Sequence, residues 1–324
     1  MIEKPSHNLL SEFAGLPVYE FSFPSIEKAA RGGVPRDVEA WAWRIALTRA
    51  DHDIEFKQVF AVFLETVDTT RVRALILGNW LFGYDPQVGS DAATDPLLEH
   101  AARFPALDAL FVGDMASHQA EISWIQQADP GPLFTAFPGI RSFGLRGTTE
   151  LTMDPFKHAA LEELAFQGGG LSPEVVHAIC ASELPSLTVL DLYLGTPEYN
   201  GGATPEDLAP ILGGQAFPGL QHLGLRDAEN QDEIAAALAH APIVAQLETL
   251  DLSLGILSDE GAAALLAGQP LTHLTSLDLH YHYLSEEMMQ RLREALPGVE
   301  VRVDEQMEPD LWDGESNRYI AVSE

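Results

Sequence analysis

Apolar residues recur along this chain in one spelling, L-x-x-L-x-L, whose fourth and sixth positions fall on the same side of an extended backbone. It reads VRALIL from Val72, LDALFV from Leu107, IRSFGL from Ile140 and LEELAF from Leu161. It continues as LTVLDL from Leu187, LQHLGL from Leu220, LETLDL from Leu247 and LTSLDL from Leu274, with GVEVRV near Val299 as a shortened last copy. Successive starts lie 21 to 35 residues apart, an interval that fits one strand and one helix per unit. The segments between copies have helical character and open on caps: Ser172-Pro-Glu, Thr204-Pro-Glu, Ser258-Asp-Glu and Ser285-Glu-Glu. In each, a hydroxyl can accept a free backbone amide, and the acids suit the positive end of the helix dipole.

A single strand-helix unit cannot bury its apolar face, so consecutive units are expected to stack. The prediction is an α/β solenoid, with a curved parallel β-sheet inside and helices outside. The longer intervals need loops on one rim, and HQAEISWIQQADPGP and LGTPEYNGGATPED supply them. Residues 1–69 lack the repeat. They read as an α+β N-terminal capping module: EAWAWRIAL and VYEFSF suit strands, and EFKQVFAVFLETV carries phenylalanines at helical spacing. The solenoid is assigned to residues 70–304, and residues 305–324 to an acidic tail in which only RYIAV has strand character.

Composition narrows the partners. Forty-nine acidic against 18 basic residues give a formal net charge of −31. Such a field repels phosphate backbones and anionic lipid surfaces, so neither nucleic acid nor a membrane is expected as a partner. The charge suits a basic partner, or simply a solvated acidic shell. The single cysteine, Cys180, allows no intramolecular disulfide and no multi-cysteine zinc site. With no signal-like start and no apolar run long enough to span a bilayer, a cytoplasmic location is expected.

The repeated L-x-x-L-x-L copies with intervening helices, over roughly residues 70–303, resemble the leucine-rich-repeat superfamily, in the irregular version similar to ribonuclease-inhibitor-type repeats. The asparagine usual three positions after the last leucine is absent; Trp80, Met115, Thr148, Gly169, Gly195, Ala228, Gly255 and His282 stand there. LLSEFAGLPV, FLETVDTTRVRALILGNW, EISWI and RYIAVSE look like an uncharacterised family of bacterial intracellular leucine-rich-repeat proteins. The superfamily resemblance implies protein recognition and the narrower one implies no particular activity.

In this register the third, fifth and seventh residues of each copy face the concave side. The fifth-position row runs Ile76, Phe111, Gly144, Ala165, Asp191, Gly224, Asp251, Asp278; the seventh runs Gly78, Gly113, Arg146, Gln167, Tyr193, Arg226, Ser253, His280. Asp251 and Asp278 fall on adjacent strands about 5 Å apart, where like charges need an offset, and Arg226 stands diagonally beside Asp251 and next to Tyr193. The candidate partner-binding residues are therefore Tyr193, Arg226, Asp251, Asp278, His280 and Arg146, with Trp80, Trp124 and Tyr199 on the rim. Ordinary repeat filling with solvated aspartates is the competing reading. Ile76 and Phe111 call for a cover, by the N-terminal module, by a rim loop or by a partner. Tyr84 joins Trp80 and Trp124 as a candidate aromatic rim. The functional expectation is a non-enzymatic protein-binding scaffold without cofactors, for a partner with a basic or hydrogen-bonding surface. Its alternative is a metal-dependent enzyme or accessory protein using His280, His282 and nearby carboxylates, which lacks an identifiable third ligand. His177 and Cys180, three apart on a helix, offer a weaker thiolate-base pair, and the GGG at Gly168 reads as a turn.

Overall fold

The computed structural model describes residues 8–22, 33–48, 54–81, 88–312 and 315–323. Tyr84 lies outside them. One sheet contains twelve strands in strict chain order. It opens with a hairpin of β1 (Glu12–Phe13) and β2 (Leu16–Phe21). From β2 onward every pairing is parallel: β3 (Ala42–Ile45), β4 (Ala74–Gly78), β5 (Ala109–Asp114), β6 (Ser142–Arg146), β7 (Glu163–Gln167), β8 (Val189–Gly195), β9 (His222–Ala228), β10 (Thr249–Asp251), β11 (Ser276–Asp278) and β12 (Glu300–Arg302). A separate hairpin, β13 (Asp310–Trp312) with β14 (Glu315–Asn317), pairs only with itself.

The helices are α1 (Phe56–Thr66), α2 (Asp91–Glu99), α3 (Gly131–Ala136), α4 (Pro173–Cys180), α5 (Ala209–Leu212), α6 (Gln231–Leu238), α7 (Asp259–Ala267) and α8 (Glu286–Ala295). Three expected caps form: Ser172 Oγ accepts the Val175 amide, Ser258 Oγ that of Glu260 and Ser285 Oγ that of Met288. Thr204 opens only a turn, where it accepts the Asp207 amide and donates to Asp207 Oδ2, and α5 begins five residues later. Pro210 accounts for this: it disfavours a helical Ala209 and cannot donate to residue 206, so it sits where a helix starts.

The register is the one the repeat spells. Leu250 faces Leu223 and Leu277, and the same fourth position aligns from Leu75 to Val301. In the eight full copies the first, fourth and sixth residues are buried in a single apolar cluster between the sheet and the helices. That cluster also takes in Trp43 and Ile45 of β3 and Phe56, Phe60, Phe63 and Leu64 of α1. The sheet thus runs on unbroken from the repeats into β3 and β2.

The last residues differ from the expected solvated tail. Ile320 and Val322 are buried, and Val322 joins an apolar cluster with Ile122, Tyr193 and Leu254. RYIAV adds no strand; it returns to the body as a segment with its own anchors. Among the described residues no helix is long and apolar enough to cross a membrane.

Candidate functional site: the inner face and its two covers

Pairing in strict register turns each motif position into a row across the sheet. The fifth-position row extends beyond the eight copies at both ends, with Glu20 and Arg44 before Ile76 and Arg302 after Asp278. Its middle is bare at Gly144, Ala165 and Gly224, and its charges gather in three groups.

The first group is closed by the chain itself. Leu10 and Phe13 lie over Ile76 and Phe111, with the Phe13 and Phe111 rings edge to face at 5.8 Å between centroids. Beside them Asp114, with no solvent exposure, receives Arg44 at 2.9 Å, Arg146 at 3.2 Å and the Leu10 amide at 3.1 Å. Arg146 also donates to the carbonyls of Asn8 and Met115 and to Gln167 Oε1. Burial pushes the Arg146 pKa down while the Asp114 carboxylate opposes that shift. Arg146 therefore fastens the N-terminal segment and is not open to a partner.

The second group centres on Arg226. Its guanidinium lies 3.2 Å from Asp191 and 3.2 Å from Asp251, with Ser253 Oγ at 3.0 Å and its carbon 5.0 Å from the Tyr193 ring centroid. This is the ion pair and stacking read from the register. Burial works against the charge of Arg226, but Tyr193 and the three aspartates 191, 251 and 278 outweigh it and raise its pKa. Burial raises the Asp251 carboxyl and Arg226 opposes that shift. Arg226, Asp191, Asp251, Ser253 and Tyr193 are all buried, so this cluster is an internal network rather than an open patch.

The third group is the more open one. Asp278 is bonded by His280 Nδ1 at 2.8 Å and by Arg302 at 2.6 Å, the offset that its place beside Asp251 requires. Burial works against the Asp278 charge, yet the hydrogen bonds from His280 and the charge of Arg302 hold the carboxyl below its ordinary range. His280 and His282 do not converge: the His282 ring is buried, its Nδ1 accepts the Leu284 amide, and burial lowers its pKa. Among the described residues no group of three or more His, Cys, Asp or Glu side chains is placed to hold a metal.

The rim candidates separate. Trp80 is only 3% exposed and sits in the main core, whereas Trp124 is 46% exposed. Tyr199 is half-buried on a short 3-10 turn. His177 pairs with Asp207 at 2.7 Å rather than with Cys180, whose thiol burial pushes up to about 11, the wrong direction for a thiolate nucleophile.

What remains accessible on the face is the third-position row. Glu163, Val189, His222, Thr249 and Ser276 are half-buried on five adjacent strands, and Glu300 beyond them is exposed. The repeat's register puts this row on the concave side, but its inner-face candidates come from the fifth and seventh positions, which are buried except at Asp278.

In every full copy, leucine-type residues at positions one, four and six fill one interior beneath a parallel sheet stacked in chain order. The chain folds as a leucine-rich-repeat solenoid. A crystal structure of a Bacteroides fragilis protein, a structural-genomics target, matches this leucine-rich-repeat chain at 29% identity and a TM-score of 0.76, over 88% of this chain and 82% of that one. An internalin from Listeria monocytogenes (14% identity, TM-score 0.37, 82% of this chain and 74% of that one) and a leucine-rich-repeat protein from Leptospira interrogans (13%, 0.26, 86% and 99%) are more distant. No protein-family model and no curated protein matches the sequence.

Proposed function

We propose that this leucine-rich-repeat solenoid is a non-enzymatic, cytoplasmic scaffold that binds another protein through the open third-position row and the adjoining Asp278. The observation that carries the reading is the alignment of Glu163, Val189, His222, Thr249, Ser276 and Glu300 on consecutive strands. A parallel sheet holds such a row rigid, so a partner does not have to order it on binding. Two carboxylates in the row, Asp278 beside it and a net charge of −31 favour a basic or hydrogen-bonding surface on the partner. Trp124 and Tyr199, at least partly exposed, stand on the rim at the other ends of the strands, apart from this row.

The test is a photo-crosslinking residue placed in turn at Thr249, Ser276 and, as a control on the outer helices, Arg291. The same adduct at Thr249 and Ser276 but not at Arg291 is expected in cells of the source organism. Adducts at all three positions, or at Arg291 alone, or at none, reject the row as the binding surface.

A further inference from the structure

Seven non-glycine residues have a positive φ among the described residues, and three of them share one place in the repeat. Asp227 (φ 54°), Leu254 (φ 71°) and Tyr281 (φ 56°) are the eighth residues of three successive copies. For leucine and tyrosine this conformation is costly, and such strain persists where the surrounding structure makes use of it. Here the use is visible, because all three hold residues 318–323. Asp227 Oδ1 accepts the Val322 amide at 2.9 Å, the Leu254 carbonyl accepts the Ala321 amide at 2.8 Å, and the Tyr281 hydroxyl donates to the Tyr319 carbonyl at 3.2 Å. Tyr283 donates to that same carbonyl at 3.0 Å.

The side chains complete a receptor. Val322, fully buried, enters a pocket of Ile122, Tyr193 and Leu254. Gly169 is bare where the segment ends, and a Cβ there would stand 2.5 Å from the Ser323 carbonyl oxygen. At the other end the Arg318 guanidinium carbon lies 5.6 Å from the Tyr283 ring centroid. Among its described residues, the chain that leads to this seat has few anchors on the body. It leaves the body at Met307, whose amide bonds the His282 carbonyl, and reaches Arg318 through the β13-β14 hairpin, which pairs only with itself and holds Leu311 81% exposed.

From the strained acceptors, the valine pocket and the loose tether, we propose that the rim over Asp227, Leu254 and Tyr281 is a peptide-binding seat, filled in cis by residues 318–323. The occupant it takes in trans is a peptide segment with a small branched residue in the Val322 place and an aromatic three residues before it. Backbone amides bonding to fixed acceptors, with one pocket for a side chain, is the chemistry of extended-peptide recognition. Partner binding at this seat then requires the closing segment to lift, so the apparent affinity is reduced by the closed fraction. The seat is on the opposite edge of the inner face from the third-position row, and it stands or falls separately from the scaffold function of that row.

The test uses the full chain. Val322→Asp places a charge in the pocket and frees the seat, and a labelled peptide of residues 316–324 (SNRYIAVSE) is the probe. The variant is expected to bind the peptide at least about tenfold more tightly than the unaltered chain, and adding Asp227→Ala to remove that binding. A folded Val322→Asp chain with no gain in binding overturns the proposal. Hydrogen exchange on the unaltered chain keeps the question open to decision if that variant does not fold. The Ala321 and Val322 amides are expected to exchange through a local opening, well before those of Leu190 and Leu223. Exchange of all four in one global step would make the segment a fixed part of the fold and overturn the seat.

Discussion

At the residue scale, the side chains on which the inner face depends are those that compensate buried carboxylates. Among the described residues, Arg226 alone stands against both Asp191 and Asp251. Removing one partner of a buried ion pair leaves an unpaired charge, so Arg226→Met is expected to cost about 3–5 kcal/mol in chemical denaturation. Combining it with Asp191→Asn and Asp251→Asn removes the charges together and is expected to restore most of the loss. A triple variant no more stable than Arg226→Met would show that Arg226 acts through packing on Tyr193 instead. This cluster was legible in the sequence because it obeys the repeat: register alone puts Arg226 diagonally beside Asp251 and next to Tyr193. Asp114 was not, because its partners Leu10 and Arg44 come from chain 104 and 70 residues away, outside the repeated copies. No local spelling marks Asp227, Leu254 and Tyr281 as left-handed either, since none is a glycine.

At the scale of elements, the leucine period gave the repeat strands, their order and the buried positions, and the hydroxyl-acid openings marked the starts of α4, α7 and α8. It was silent on what lies across the sheet's other side, since covering segments owe their place to tertiary contacts and carry no period of their own. The N-terminal cover shows how much depends on such contacts. Ile76 and Phe111 are fully buried on what would otherwise be a water-facing sheet surface, with Phe13 set against Phe111. Phe13→Ala is therefore expected to destabilise the chain by about 3 kcal/mol, in the range of large-to-small changes at buried aromatic positions. It is also expected to raise binding of a hydrophobic dye, because the apolar floor becomes accessible. A loss below about 0.5 kcal/mol, the range of ordinary surface changes, would show that the segment is not what shields Phe111.

On the scale of the whole molecule, the excess of negative charge governs how the chain responds to its solvent. The network around Asp114 and the one around Arg226 contain paired, buried charges, which salt screens little. Exposed pairs such as Arg73 with Asp108 and Arg141 with Glu162 contribute little each, so their loss in salt is small. With 49 acidic against 18 basic residues, the net charge of −31 makes the folded chain repel itself. Screening that repulsion favours the compact chain. Raising sodium chloride from about 20 mM to about 500 mM shortens the Debye length from roughly 20 Å to roughly 4 Å and is expected to raise the Tm by several degrees. Sucrose at matched osmolarity separates screening from general exclusion effects, since it carries no charge. A Tm that falls with salt would mean that the exposed ion pairs outweigh the acidic repulsion. The same screening acts oppositely on association: a basic partner steered by this field should lose on-rate over the salt range in which the fold gains stability.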